Sequence, residues 1–294
     1  MQLVTFKDAA GVRIGALLRA SNEIVDLAAA APGLPREMAA FIAAGPAALA
    51  TAQAALAAGK RIPLASVKLL APMPRPVKNV FCVGKNYHEH AKEFHGSGFD
   101  ASAKEAIPEL PIIFTKAPTS IIAQGETIMA SLDYTNSTDY EGELTVVIGK
   151  GGRGISKADA YKHVFGYTII NDVTARTLQH SHRQWFLGKS LDTFCPMGPA
   201  IVTADEVGDV TKLRLLTTVN GETRQDALVS DLIFDIPTLI ETMSRAMTLE
   251  PGDLIATGTC AGVGIGFKPP KYLKPGDRVA VTIEPIGTLE NPVG

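Results

Sequence analysis

The spacing of apolar positions changes along this chain. Gln2 to Phe6 and Val12 to Leu18 carry strand-forming residues on either side of Asp8–Gly11, which predicts an opening pair of strands joined by a turn. Met38 to Gly59 is uncharged and mostly alanine. Alanine favours helix but adds little apolar surface, and Gly45-Pro46 interrupts the run, so two short helices are expected rather than a membrane span. Pro72-Met73-Pro74-Arg75-Pro76 reads as a linker. Short apolar runs follow at Asn79–Val83, Pro111–Thr115, Glu143–Ile148, Gly166–Ile170, Ala200–Thr203, Leu213–Val219, Asp253–Ala256 and Arg278–Glu284, each the length of a strand. Asn220-Gly221 marks a hairpin. Helical spacing is rarer, at Tyr87–Phe94, Lys157–Val164, Thr174–Gln184 and Ile236–Met247, and Ser156 with Asp159 resembles a capping box before the second.

These elements predict an α+β chain that is mainly β. A small alanine-rich α+β domain is expected over residues 1–70 and the main domain over residues 71–294. The polar Gly96–Glu109 segment reads either as a lid or as a solvated surface loop.

Composition narrows the function. The 294 residues hold 28 Lys+Arg and 30 Asp+Glu, a net charge of −2, so no broad basic footprint for nucleic acid exists. A hydrophobic share of 46% and a charged share of 20% exclude wholesale disorder. Cys82, Cys195 and Cys260 lie far apart with no CxxC, which argues against a disulfide framework or a zinc ribbon. The first residues show no basic and then apolar leader, so a cytoplasmic location without membrane partners is expected.

Several segments carry chemistry. In Asp139-Tyr140-Glu141-Gly142-Glu143 the two glutamates alternate on a strand and so share a face about 6.5–7 Å apart. Such a pair is either a solvated edge or half of a site for a hard cation, which takes oxygen ligands. Asp172 ends the apolar run Gly166–Ile170 and Asn171; it reads equally as a third oxygen ligand or as a helix cap. His90 and Glu93 are three apart on a predicted helix and therefore neighbours, a pair able to activate water or an exposed charged face. Gly149-Lys150-Gly151-Gly152-Arg153-Gly154 satisfies G-x-G-x-x-G, but the expected helix starts only after it and the strand before it carries the glutamates, so a dinucleotide site is disfavoured. The glycine-dense Thr257–Gly266 segment offers backbone amides to an anion such as a substrate carboxylate, or is a tight turn.

Taken together, the chain resembles the fumarylacetoacetate hydrolase family from about Leu70 onward. The matching segments are Val83–Tyr87 with His90 and Glu93, Pro111–Lys116, Asp139–Leu144, Asn171–Arg176, Gly188-Lys189 with Cys195–Pro199, Asn220–Glu222 and Thr257–Thr259. The resemblance implies a mixed β-roll catalytic domain, a homodimer, and one Mg²⁺, Mn²⁺ or Ca²⁺ per subunit held by Glu141, Glu143 and Asp172. It implies that His90 and Glu93 activate water, that Lys189 and Gln179 contact the substrate oxyanion or carboxylate, and that Gly258 and Thr259 contact the carboxylate. The implied activity is metal-dependent hydrolysis of a C–C bond in small acylpyruvate-type 2-oxo acids, with decarboxylation or isomerisation of a related 2-oxo dicarboxylate as the alternative. The chain departs from the family at Thr177, where Asp is frequent, and at Cys260, where Pro is frequent. Val80–Tyr87 holds no acid, which argues against fumarylacetoacetase activity itself.

Overall fold

The computed structural model describes residues 1–57, 59–99 and 106–294. Strands β1 (Gln2–Asp8), β2 (Gly11–Leu18), β3 (Glu23–Asp26), β4 (Arg61–Pro63) and β5 (Lys68–Leu70) come first, with helices α1 (Leu27–Ala30), α2 (Met38–Ala43) and α3 (Gly45–Ala55) between β3 and β4. Next follow β6 (Val80–Gly84), α4 (His88–Gly96), β7 (Ile112–Lys116), β8 (Ile121–Ile122), β9 (Thr138–Asp139), β10 (Gly142–Ile148) and β11 (Val164–Asn171). Then come β12 (Thr174–Ala175), α5 (Arg176–Ser181), α6 (Phe186–Lys189), β13 (Cys195–Thr203) and α7 (Ala204–Val207). The chain closes with β14 (Arg214–Val219), β15 (Glu222–Leu228), α8 (Ile236–Ala246), β16 (Leu254–Thr259), β17 (Arg278–Ile283) and β18 (Gly287–Pro292). The architecture is mainly β with α elements, as the alternating runs predict.

One mixed sheet runs in the order β4-β3-β2-β1-β13-β11-β10-β16-β6-β7, and a four-stranded sheet, β15-β14-β17-β18, packs against it. Strands from the first seventy residues enter the main sheet because β1 pairs with β13. The helices break at Gly45, whose φ of 75° a side chain rarely adopts. No helix among the described residues is long and apolar enough to cross a membrane.

Alternation along β10 divides the core. Leu144, Val146 and Ile148 face Leu215, Val281, Ile283 and helix α8. Val147 faces the other way, toward the core that includes Phe41, Ile42 and Ala52 beneath the alanine helices. Glu141, Glu143 and Thr145 have the parity of Val147, so the glutamates end the face opposite the second sheet. The bare Cα of Gly142 points into that sheet, where a Cβ would stand 2.4 Å from Thr217 Oγ1.

Two predicted helices differ. Lys157–Val164 holds only a short 3-10 turn at Ala160–His163, because Val164 already belongs to β11. Thr174 and Ala175 pair with β9 before α5 begins at Arg176, so long-range pairing overrides the local helical spacing. The Asn220-Gly221 hairpin forms, with φ of 53° and 80°. The amides of the Gly149–Gly154 turn serve protein carbonyls: Gly149 donates to His163, Gly152 to Leu249 and Gly154 to Ser244, which leaves no phosphate cradle. Much of the proposed lid, residues 100–105, lies outside the described residues.

Close packing of β11 on β13 yields a test. A Cβ on Gly166 would stand 2.2 Å from Val202 O, a backbone atom that cannot swing aside. Gly166→Ala is expected to cost at least about 1–3 kcal/mol. That loss lowers the melting temperature by roughly 2–4 °C per kcal/mol. An unchanged melt would mean that the two strands yield at no cost.

Candidate active site

Three strand ends meet at the site. Gly142 pairs with Asn171, and Glu143 with Ile170 and Thr259. The Asp172 amide donates to Glu141 O at 2.7 Å, continuing the ladder one step past the strands. Residues opposite one another share a face, so Asp172 joins Glu141 and Glu143. Asn171 fixes this corner, its Oδ1 accepting from the Glu141 amide at 2.9 Å. One carboxylate oxygen from each of Glu141, Glu143 and Asp172 lies within 4.8 Å of the others, and all three residues are buried. The helix-cap alternative for Asp172 is not realised: the residue before α5 is Ala175.

Three cations from separate elements surround these acids. Lys189, at the end of α6, donates from Nζ to Glu141 Oε2 and Asp172 Oδ2, both at 2.7 Å. Arg176 Nη1 of α5 lies 2.6 Å from Glu141 Oε1. Lys116 Nζ, at the end of β7, lies 2.7 Å from Asp172 Oδ1, at ion-pair distance but off hydrogen-bond geometry. Lys116 Nζ also donates to Val173 O at 3.0 Å and to Lys189 O, so its buried ammonium holds the backbone that carries Lys189.

The electrostatics are uneven. Burial opposes ionisation of Glu141, but Lys189 and Arg176 outweigh it and hold its carboxyl down at about 2. Burial also works against the charged Lys189, yet Asp172 and Glu141 raise its pKa, so it remains an ammonium. Glu143 is the opposite case: burial, then the charges of Asp172 and Glu141, push it well above the usual carboxylate range. Its Oε2 accepts from the Gly258 amide at 2.8 Å, and no described cation stands within ion-pair distance. Three clustered carboxyls, one without a cation, are the donor set a hard divalent ion takes.

Beside the trio lies a small cavity, walled by Phe94, Phe114 and Trp185 and reached by His90, Gln179, Lys189 and Thr259. Trp185 meets Phe114 edge to face at 5.1 Å and packs on the bare Cα of Gly84. His90 Nδ1 lies 3.1 Å from Glu93 Oε2 on α4, so this pair is assembled at the cavity. Gln179 follows Arg176 by one helical turn and accepts from its Nη1 at 3.3 Å. Thr259 Oγ1 donates to Gly142 O at 3.0 Å and accepts from Gln225 Nε2 at 2.6 Å.

The glycine-dense turn differs from its reading as a substrate-anion cradle. Gly258 donates to Glu143, Gly262 to Glu93 at 3.0 Å, and Gly264 and Ile265 to Asp139 at 2.6 and 3.0 Å. These amides serve the protein's own acids; the Gly258 amide, expected at a substrate carboxylate, donates to Glu143. Sequence reasoning missed Lys85, Lys116, Arg176 and Gln225. Lys85 and Arg176 also reach the cavity, and Arg176 Nη2 is buried without a hydrogen-bond partner among the described residues. Gln225 is fully buried and fastens Gly142, Thr259 and Cys260 together.

The fold and this site define a family. The family model for the fumarylacetoacetate (FAA) hydrolase C-terminal region matches residues 79–294. The chain belongs to the fumarylacetoacetate hydrolase family and is one of its enzymes. It is 55% identical over 231 residues to the oxaloacetate tautomerase YisK of Bacillus subtilis, covering 79% of this chain and 74% of that protein. It is 40% identical over 298 residues to the human mitochondrial oxaloacetate tautomerase FAHD2A, covering 100% and 91%. Among solved structures it resembles a fumarylacetoacetate hydrolase from Exiguobacterium antarcticum, with a TM-score of 0.84 and 41% identity over 100% of this chain and 99% of that one. It also resembles a maleylpyruvate hydrolase from Sphingobium sp. SYK-6 solved with manganese(II) and pyruvate, with a TM-score of 0.80 and 32% identity over 100% and 98%.

The raised pKa of Glu143 sets an expectation. Its proton competes with an ion, so Mn²⁺ affinity should strengthen as pH rises and binding should release a proton. Glu143→Gln should weaken Mn²⁺ binding by at least about 100-fold and abolish the proton release. Titration calorimetry in buffers of different ionisation enthalpy reads both; unchanged affinity would remove Glu143 from the donor set.

Proposed function

We propose that this chain is a divalent-cation-dependent tautomerase that interconverts the keto and enol forms of a small 2-oxo dicarboxylate, with oxaloacetate as the substrate to test first. The observation that carries the reading is the placement of the His90–Glu93 pair, the Lys189 ammonium and the acidic trio around one cavity. The oxaloacetate tautomerase names of YisK and FAHD2A support the same substrate class.

A divalent ion held by Glu141, Glu143 and Asp172 would supply a Lewis acid for the 2-oxo group. His90, oriented by Glu93, takes a proton from C3 of the keto acid. The C3–H electron pair becomes the C2–C3 double bond, and the carbonyl pair moves to the C2 oxygen. Lys189 faces that oxygen as a permanent cation and stabilises the charge developing there. A proton then joins the oxygen to give the enol, so the reaction is balanced without water. Gln179 and Arg176 supply donors for a carboxylate at the cavity wall. Trp185, Phe94 and Phe114 keep bulk water off the reacting carbons.

A second reading is hydrolysis of an acylpyruvate, favoured by the same carboxylate-oriented histidine, which is equally suited to activate water. The two separate by product. Tautomerisation removes the enol absorbance and leaves the carbon skeleton whole, hydrolysis releases pyruvate and a second acid, and decarboxylation releases carbon dioxide. With Mn²⁺ or Mg²⁺ present, wild-type protein should accelerate decay of enol-oxaloacetate absorbance without forming pyruvate. His90→Gln should lower the rate about 10²–10⁴-fold. Lys189→Met should lower it about 10²–10³-fold. Pyruvate released from an acylpyruvate, with no effect on the enol, would replace the first reading by the second.

A further inference from the structure

Asp139 is completely buried at the end of β9, yet it belongs neither to the acidic trio nor to the cavity wall. Its Oδ1 accepts from the amides of Tyr140 at 2.9 Å and Gly264 at 2.6 Å. Its Oδ2 accepts from Arg176 Nε at 2.9 Å and the Ile265 amide at 3.0 Å. Four donors fill the acceptor capacity of one carboxylate.

Those donors lead to the two halves of the site. Through Nη1, Arg176 reaches Glu141 at 2.6 Å. Gly264 and Ile265 lie in the turn that donates the Gly262 amide to Glu93. Two glycines make the turn a tight wedge. A Cβ on Gly266 would stand 2.0 Å from Glu93 Oε1, and one on Gly264 would stand 2.4 Å from Lys271 O and 2.6 Å from Asp139 Oδ1. The turn is therefore clamped between Asp139 on one side and Glu93 on the other, and Glu93 in turn holds His90.

We propose that Asp139 is a positioning residue that couples the acidic trio to the His90–Glu93 pair. It sets Arg176 against Glu141, and it anchors the turn that holds Glu93. The catalytic consequence rests on the functional reading above; the mechanical coupling does not. A carboxylate is required because all four partners are donors. An asparagine of the same size would turn its own amide protons toward either the Tyr140 and Gly264 amides or Arg176 and the Ile265 amide. Either way one side of the clamp loses its acceptor.

The test compares wild type with Asp139→Asn, and with Gly264→Ala, whose Cβ forces the turn off Asp139 and Lys271 O without changing charge. By hydrogen exchange, amides 261–267 should exchange at least about 10-fold faster in both variants while β17 keeps its protection. Mn²⁺ affinity should fall about 10–100-fold in Asp139→Asn, the size typical of losing a residue that orients a ligand. The kcat should fall by at least about 10-fold with KM within about 3-fold. In a Glu93→Gln background at saturating Mn²⁺, Asp139→Asn should lower kcat less than it does in wild type, because the part of its effect that passes through the turn is already lost. Unchanged exchange in the turn, loss of protection throughout the chain, or additive kcat effects would each overturn the coupling. If wild type fails to turn over oxaloacetate, the functional reading falls, while exchange and Mn²⁺ affinity still decide the role of Asp139. If Asp139→Asn does not fold, Gly264→Ala decides by exchange and Mn²⁺ affinity.

Discussion

The site depends on enclosing negative charge that repels itself. Two unit charges about 4 Å apart cost about 4 kcal/mol at an effective dielectric of 20, and here several carboxyls share a space of that scale. A folded chain keeps such a group only if cations and donors are brought from elsewhere. Here Lys116, Arg176 and Lys189 come from β7, α5 and α6 and converge on two of the acids. Glu143 has an amide instead of a cation, and it is the acid whose ionisation is opposed. The arrangement is neutralised enough to fold and still short of positive charge at one corner. That imbalance matches the donor set a divalent ion would take.

The glycine-rich turn shows how backbone serves chemistry indirectly. Its amides look made for an incoming anion, and they do hold anions, but ones the chain supplies. Glu143, Glu93 and Asp139 are each gripped by a different part of Gly258–Ile265. The segment orders the acids, and side chains from α5 and α6 line the cavity beside them. Absence of Cβ atoms matters here for close approach, since Gly262 and Gly266 press directly on Arg224 O and Glu93.

Much of this was legible in the chain. Alternation along Glu143–Ile148 places the paired glutamates on one face, and the three-residue interval in α4 places His90 beside Glu93. The break at Gly45 and the hairpin at Asn220-Gly221 rest on backbone chemistry that one or two residues decide. What escaped reading is non-local. Thr174 looks helical until its partner strand, thirty-odd residues earlier, claims it. Lys116 and Arg176 each close an apolar run, where a charge signals a buried partner, but the partners lie tens of residues away. Gln225 sits in a strand flanked by exposed residues, and nothing local tells that its side chain crosses between sheets to Gly142.

The pairing of β1 with β13 has a consequence for how the architecture can be shortened or borrowed. The family model begins only at residue 79, yet β13, the neighbour of the strand that leads to Asp172, takes its outer hydrogen bonds from Gln2 and Leu3. Cut away the opening strands and that border is left as bare backbone, ready to recruit any extended peptide. A catalytic core transplanted without them would carry an unpaired strand edge of the kind that promotes aggregation.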